Sequence, residues 1–223
     1  KRTLSTFVDT VTDTAYEIIF IDNLSEDESV RAWLSSLSEI NEDIFRVYFV
    51  DEKISSVSAL NYALSVARGE FTLYLSCGVY FNNKAWLNAL LNHCGRSELL
   101  ACAPFLTDKR HHLYSPGIID GTVRCHYDQF NAADGTYSPE QIVPQRYLLL
   151  SSECIMLRTA ACHQAGGLNE KFTTVHEAVS DLLLRASEKE SVMLAVPQSR
   201  VCCDEIMSEA ELIPGTALFT AQW

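Results

Sequence analysis

No apolar run in this chain approaches the roughly 20 residues needed to cross a bilayer; the longest, such as residues 147–150 and 17–21, are only a few residues long. No signal-peptide pattern opens the sequence either, so the expectation is a soluble piece without a transmembrane segment. Clustered Lys and Arg are missing: 17 basic against 29 acidic residues give a net charge of −12, which excludes binding along a phosphate backbone or to anionic lipid through a polybasic patch. Nucleic acid is therefore not an expected partner. Eight cysteines are present, at positions 77, 94, 102, 125, 154, 162, 202 and 203, but none has the CxxC spacing of a metal or redox motif. Most lie in apolar segments, where a free thiol packs as a small hydrophobe, and a reduced cytosolic setting is expected. The phosphate loops GxGxxG and GxxxxGK[ST] are also missing, which weighs against a dinucleotide-binding or P-loop enzyme.

What is present is enough for a core. The chain has 223 residues, 48% of them hydrophobic, with ordinary glycine and proline content, and one folded domain is the expectation. Helical and extended patterns alternate. Helices are expected over 3–11, 28–38, 56–67, 83–93, 158–164 and 175–189, and strands over 16–21, 45–50, 71–75, 99–104, a resumption near 148, and 191–196 ended by Pro197. Such alternation implies an α/β fold, doubly wound, with a mostly parallel sheet and helices on both faces. Residues 108–146 are polar and punctuated by Gly and Pro, which reads as hairpin and loop. Trp33, Trp86 and Phe81 fall at core positions of amphipathic spacing. Gly69 is expected to cap the helix before the strand at Phe71.

Several segments have chemistry. Asp22-Asn23-Leu24-Ser25-Glu26-Asp27 follows the strand YEIIFI. At the carboxyl end of a parallel strand, Asp22 would face the crevice where open sheets bind ligands and could accept hydrogen bonds from a base or ribose. An ordinary Asx or Ser turn is the alternative. Farther on come Asn61, Ala67-Arg68-Gly69-Glu70, the turn Gly166-Gly167-Leu168-Asn169-Glu170, and Asp181-Leu-Leu-Leu-Arg185. Glu177 and Asp181, four apart, share a helix face; either one, or His176, is a candidate base, or else Asp181 simply pairs with Arg185. His111, His112 and His126 lie in the polar excursion and are read as loop residues.

Taken in order, these segments resemble the family 2 glycosyltransferases, whose fold is called GT-A. The resemblance spans roughly residues 3–223. It implies a nucleotide-sugar side over 1–105, with Asp22, Asn23, Ser25, Asp27 and Asn61 at the nucleotide, and an acceptor side over 106–223, with the turn at Gly166, Gly167 and Glu170. It also places a central strand ahead of the first helix, so the chain reads as a piece of a longer polypeptide. Segment 119–123 is similar to the family's variable "dG.i" text, and the terminal Trp223 to its "f..rW".

The departures lie where the family's chemistry resides. Its Asp-x-Asp, which holds Mg²⁺ or Mn²⁺, is replaced by Ser76-Cys77-Gly78; its metal His by Cys203; and the acids of "EDvDlclR" by Ala178 and Val179, leaving Asp181. Hard cations want oxygen ligands, so no protein metal site is expected. The resemblance implies a bacterial surface-polysaccharide or glycan biosynthesis protein, cytoplasmic or held at the inner membrane by other domains. Two expectations stand: a degenerate domain serving as scaffold or partner-binding module, or an inverting transferase acting on a glycan acceptor through a non-standard, metal-independent site with Glu177 or Asp181 near the acceptor.

Overall fold

A computed structural model describes residues 1–110, 112–114, 116–119, 124–125, 143–187 and 191–223. His111, His126 and segment 120–123 lie outside the described residues. The element order is α1 (Arg2–Thr10), β1 (Ile18–Asp22), α2 (Glu28–Ile40), β2 (Phe45–Phe49), α3 (Ser56–Val66), β3 (Phe71–Leu75), β4 (Val79–Tyr80), α4 (Trp86–Cys94), β5 (Leu99–Thr107), β6 (Leu113–Tyr114), β7 (Gly117–Ile119), β8 (Arg124–Cys125), β9 (Gln145–Arg146), β10 (Leu149–Leu150), β11 (Cys154–Arg158), α5 (Thr159–Gln164), α6 (Val175–Ser187), β12 (Val192–Cys203), α7 (Glu209–Leu212) and α8 (Ala217–Gln222).

The main sheet has the order β3-β11-β5-β12-β4, with β6 added to β5 and β9 to β12. β5 and β12 are parallel, whereas β11 runs antiparallel between β3 and β5. β3, β5 and β12 therefore share one direction, and the fold is a mixed α/β sheet whose reversed strands are β11 and the short hairpin pieces. β1 and β2 form a separate parallel pair. The starts of β1 and β3 are clasped by Glu17, which precedes β1: its Oε1 accepts from the Arg68 N–H at 2.6 Å and its Oε2 from Arg46 Nη1 at 2.6 Å. No described strand bridges β1 and β3, and the residues of both are mostly half-buried despite their apolar sequence.

Packing follows from sequence. On one side of the main sheet Phe7 of α1 meets Tyr16, Phe81 and Trp86 edge-on at 5.1–5.9 Å, while Phe81 stacks on Trp86 at 4.1 Å. Trp86 is fully buried and its indole N–H reaches Thr10 Oγ1 at 3.2 Å, satisfying the polar edge that burial would otherwise leave unpaired. A second cluster joins β5, β10, β11, α5 and α6 through Phe105, Leu150, Ile155, Cys162 and Leu182. Each such leucine, isoleucine or phenylalanine side chain contributes about 1.5–3 kcal/mol by leaving water.

Three expectations need correction. Pro197 does not end the last strand: β12 continues to Cys203, because the register with β5 shifts between Val196 and Arg200 and that irregularity accommodates a residue with no N–H to donate. Gly69 is not the cap of α3, which stops at Val66 with Ala67 in extended conformation; a Cβ at Gly69 would come within 3.0 Å of the Phe71 carbonyl, so close backbone approach is the reason for glycine there. Trp33 is only half-buried, its ring 6.1 Å from Phe20 and 5.4 Å from Lys1 Nζ. Cys77, Cys94, Cys102, Cys154, Cys162, Cys202 and Cys203 are free thiols. Among the described residues no helix is long and apolar enough to cross a membrane.

Candidate functional site

Ligands of open sheets bind at the carboxyl ends of parallel strands, here the turn after β1 at Asp22 and the turn after β3, which the Asp204 N–H that follows β12 fastens at the Gly78 carbonyl. At β1, Asp22 is only 3% exposed. Its Oδ1 accepts from Ser25 N at 3.3 Å and its Oδ2 lies 3.3 Å from Arg31 Nε. Asn23 exchanges two hydrogen bonds with the Ile54 backbone, at 2.7 and 2.9 Å, fastening this turn to the start of α3. Leu24 has φ +57°, a left-handed conformation that costs a non-glycine residue about 1 kcal/mol. Asp27 caps α2 by accepting from Ser29 N at 2.8 Å, and its bonds to Ser29 hold its carboxyl below the usual value. These four residues are thus brought together, each with a protein partner of its own.

Asn61 faces the glycine turn. Its Oδ1 accepts from Leu168 N at 3.0 Å and its Nδ2 donates to Glu170 Oε1 at 2.8 Å, while Ser58 donates to Glu170 Oε2 at 2.7 Å. The bonds from Asn61 and then Ser58 hold the Glu170 carboxyl below its usual value. Gly167 has φ +73°, and a Cβ there would lie 2.5 Å from Asn61 Oδ1. Only glycine fits that site.

Beyond β3 the residues Ser76-Cys77-Gly78 turn into β4. Gly78 has φ +89°; its carbonyl accepts from Asp204 N at 3.1 Å, and an added Cβ would stand 3.3 Å from Asp204 Cβ. The volume a side chain at position 78 would occupy is therefore bounded by Asp204. That carboxylate is in turn ion-paired to Arg2 at 3.2 Å and Lys109 at 3.5 Å. Cys203, fully buried, points its thiol at the Glu205 carbonyl, 2.9 Å away, and burial pushes its pKa up to about 11. A thiol is a soft donor, unlike the oxygen ligands that Mg²⁺ and Mn²⁺ take. Among the described residues no group of three or more His, Cys, Asp or Glu could hold a metal ion. These donors do not fit Mg²⁺ or Mn²⁺.

α6 places His176, Glu177 and Asp181 in the interior, at 7%, 5% and 0% exposure. All three hold the C-terminal tail. His176 Nε2–H donates to the Leu212 carbonyl at 2.7 Å, Glu177 Oε1 accepts from Thr216 N at 3.0 Å, and Asp181 Oδ1 accepts from Gln222 Nε2 at 2.6 Å and Trp223 Nε1 at 3.2 Å. Burial keeps the His176 imidazole below its usual pKa, hence neutral near pH 7. Asp181 Oδ2 accepts from Arg185 Nε at 2.8 Å, and the same guanidinium donates to the carbonyls of Ala165 and, at 2.7 Å, Gly167.

Sequence reasoning missed Glu153. It is 4% exposed, its carbonyl accepts from Ser76 N at 2.8 Å, and its Oε1 accepts from Met207 N at 2.7 Å. Its Oε2 and the Nδ1 of His176 have no partner among the described residues. The signal was available as the one acid inside the apolar stretch 147–157. Asp204, Arg2 and Lys109 were missed too, because only the fold brings them to Gly78.

No curated protein sequence matches the chain. Solved structures do: GalNAc-T7 with UDP, GalNAc and Mn²⁺ (15% identity, TM-score 0.68, 93% of this chain and 41% of that one); the mannosyltransferase PcManGT from Pyrobaculum calidifontis with GDP-Man and Mn²⁺ (14%, 0.62, 99% and 54%); and TarS 1-349 of S. aureus with UDP (14%, 0.60, 92% and 56%). The chain thus spans about half the length of the structures it matches, and at these identities the likeness establishes the fold. The glycosyl transferase family 2 profile matches residues 1–158, well over half of the sequence, and the chain belongs to that family.

Proposed function

We propose that this chain is a catalytically degenerate family 2 glycosyltransferase domain that acts as a structural or partner-binding part of a bacterial polysaccharide or glycan biosynthesis protein. The observation that carries the reading is the double commitment at the ligand edge. Gly78 stands where the resemblance puts a metal carboxylate, and the two candidate bases on α6, Glu177 and Asp181, each give one oxygen to the protein's own tail and the other to Thr174 and Arg185 respectively. Losing the metal and the base each typically removes orders of magnitude in rate. Its partners would be other domains of a larger glycosyltransferase, with a nucleotide-sugar or glycan acceptor still able to bind.

The test is turnover. Incubation with UDP-, GDP- and dTDP-sugars and Mn²⁺ should release no nucleoside diphosphate above a no-protein blank; release on the order of 1 s⁻¹, an ordinary enzymatic rate, would sink the proposal. A second reading, an inverting transferase with a non-standard site, is favoured by the half-satisfied Glu153 beside neutral His176. It would require turnover that Glu153→Gln abolishes.

A further inference from the structure

The Gly78 turn lacks a cation-binding carboxylate yet is not without positive charge. Arg2, which opens α1, lies with its guanidinium 3.4 Å over the Tyr80 ring and 3.2 Å from Asp204 Oδ1. Lys109, which follows β5, approaches the same oxygen at 3.5 Å. Tyr80 and Asp204 flank Gly78 on the β4–β12 ladder, where Cys203 pairs with Val79. Two cations 107 positions apart in sequence thus converge on one carboxylate beside the turn that follows β3. Both side chains are more than half exposed, at 56% and 67%, whereas Asp204 is 29% exposed. Lys1, on the same helix start, lies over Trp33 and near Asp27, so α1 begins between this turn and the Asp22 turn.

The physical problem at such a place is neutralising a diphosphate. A divalent ion does so with carboxylates behind it; a guanidinium and an ammonium do so directly, Arg through its planar fork of donors and Lys as a point charge. A metal brought to Asp204 would meet two positive groups already within 3.5 Å. We infer that Arg2 and Lys109 take the place of the metal, forming a metal-independent site for the diphosphate of a nucleoside diphosphate or nucleotide-sugar. This rests on the reading of this edge as the nucleotide side. In the unliganded chain Asp204 occupies the two cations; the incoming phosphate oxygens exchange for its carboxylate oxygen, so Asp204 is a competitor for the site and not a ligand of it.

Calorimetric titration of the whole 223-residue chain with UDP, GDP and dTDP in EDTA, repeated with Mn²⁺, tests this. At least one diphosphate should bind in EDTA, with an affinity that Mn²⁺ changes by less than about twofold. Arg2→Gln and Lys109→Gln should each weaken it about tenfold, the loss of one charge-assisted contact. The exposed Lys171→Gln is the control and should not change it. Asp204→Asn should tighten binding several-fold by removing the competitor. Circular dichroism checks that each variant is folded. The inference is overturned by absent binding in EDTA, by binding that needs Mn²⁺, by indifference to Arg2→Gln and Lys109→Gln, or by weaker binding in Asp204→Asn. Binding together with turnover would instead overturn the degenerate reading and leave this one standing; neither binding nor turnover would do the reverse.

Discussion

The β1–β2 pair and the β5–β12–α6 body carry similarly apolar strands and meet opposite fates. Along β5 eight of nine residues are buried, and α6 hides eight in succession, carboxylates included. Along β1 and β2 nearly every residue is only half-buried. The difference is edge pairing: among the described residues β5 is bonded on both sides, by β11 and β12, whereas β1 is bonded by β2 alone. The carboxylates beside β1 serve as turn caps and clasps, Asp22 for the Ser25 N–H and Glu17 for Arg46 and the Arg68 N–H. In the body, a buried carboxylate left without partners costs several kcal/mol; Glu177 and Asp181 are bound into structure, and Glu153 is held through one oxygen only.

The largest break in that contrast should come from Asp181→Ala. It strands the Arg185 guanidinium and releases Gln222 and Trp223. Removing one partner of a buried pair typically costs about 3–5 kcal/mol. Denaturant unfolding should show that loss, together with faster proteolysis after residue 207; an unchanged midpoint would mean the tail does not depend on this carboxylate. Next in size is Gly167→Ala. The left-handed φ and the 2.5 Å approach to Asn61 Oδ1 should cost about 1–3 kcal/mol, and Asn61→Gly should relieve part of it in a double-mutant cycle.

Much of this fold was legible. The alternation of 3.6-residue and extended patterns placed α1–α6 and β1, β2, β3 and β5 within two or three residues, because apolar side chains at those spacings can be buried in few ways; the short α7, α8 and β4 carry too few residues to show a period. The strand over 191–196 was cut short because a proline argues against a ladder, and sequence alone cannot show that the ladder breaks register there. The site was less legible. Asp22, Asn23, Ser25 and Asp27 were found together because they are neighbours in sequence, and Asp181 was found with Arg185 because i and i+4 adjoin on a helix. Arg2, Lys109 and Asp204 meet across 202 and 95 positions, and Glu153 meets Met207 across 54; no local spacing encodes such pairs.

A smaller perturbation sharpens the comparison from the other region. Ser55 caps α3 by accepting from Ser58 N at 2.9 Å, and Ser55→Ala should cost about 1 kcal/mol in a thermal melt, as helix N-caps do. Because α3 packs on β1 and carries Asn61, the loss should appear first as faster amide exchange in β1 and in the 166–170 turn. Uniform exchange across β5 and β12 as well would mean the two regions unfold as one unit.

The smallest effect is a titration. Burial alone would raise the Glu17 carboxyl, but the hydrogen bonds from the Arg68 N–H and Arg46, with both their charges, outweigh it and leave the group below its usual value near 4.5. A carboxyl depressed in the folded state stabilises that state above its unfolded pKa, and the contribution is lost as pH falls through the folded one. Glu17 clasps β1 to β2 and to the start of β3, so acidification below about pH 4.5 should raise amide exchange in β1 and β2 before it does so in β5 and β12. Glu17→Gln should remove that pH dependence. If exchange in β1 and β2 stays as pH-insensitive as in the body, the clasp is not what holds this strand pair in place.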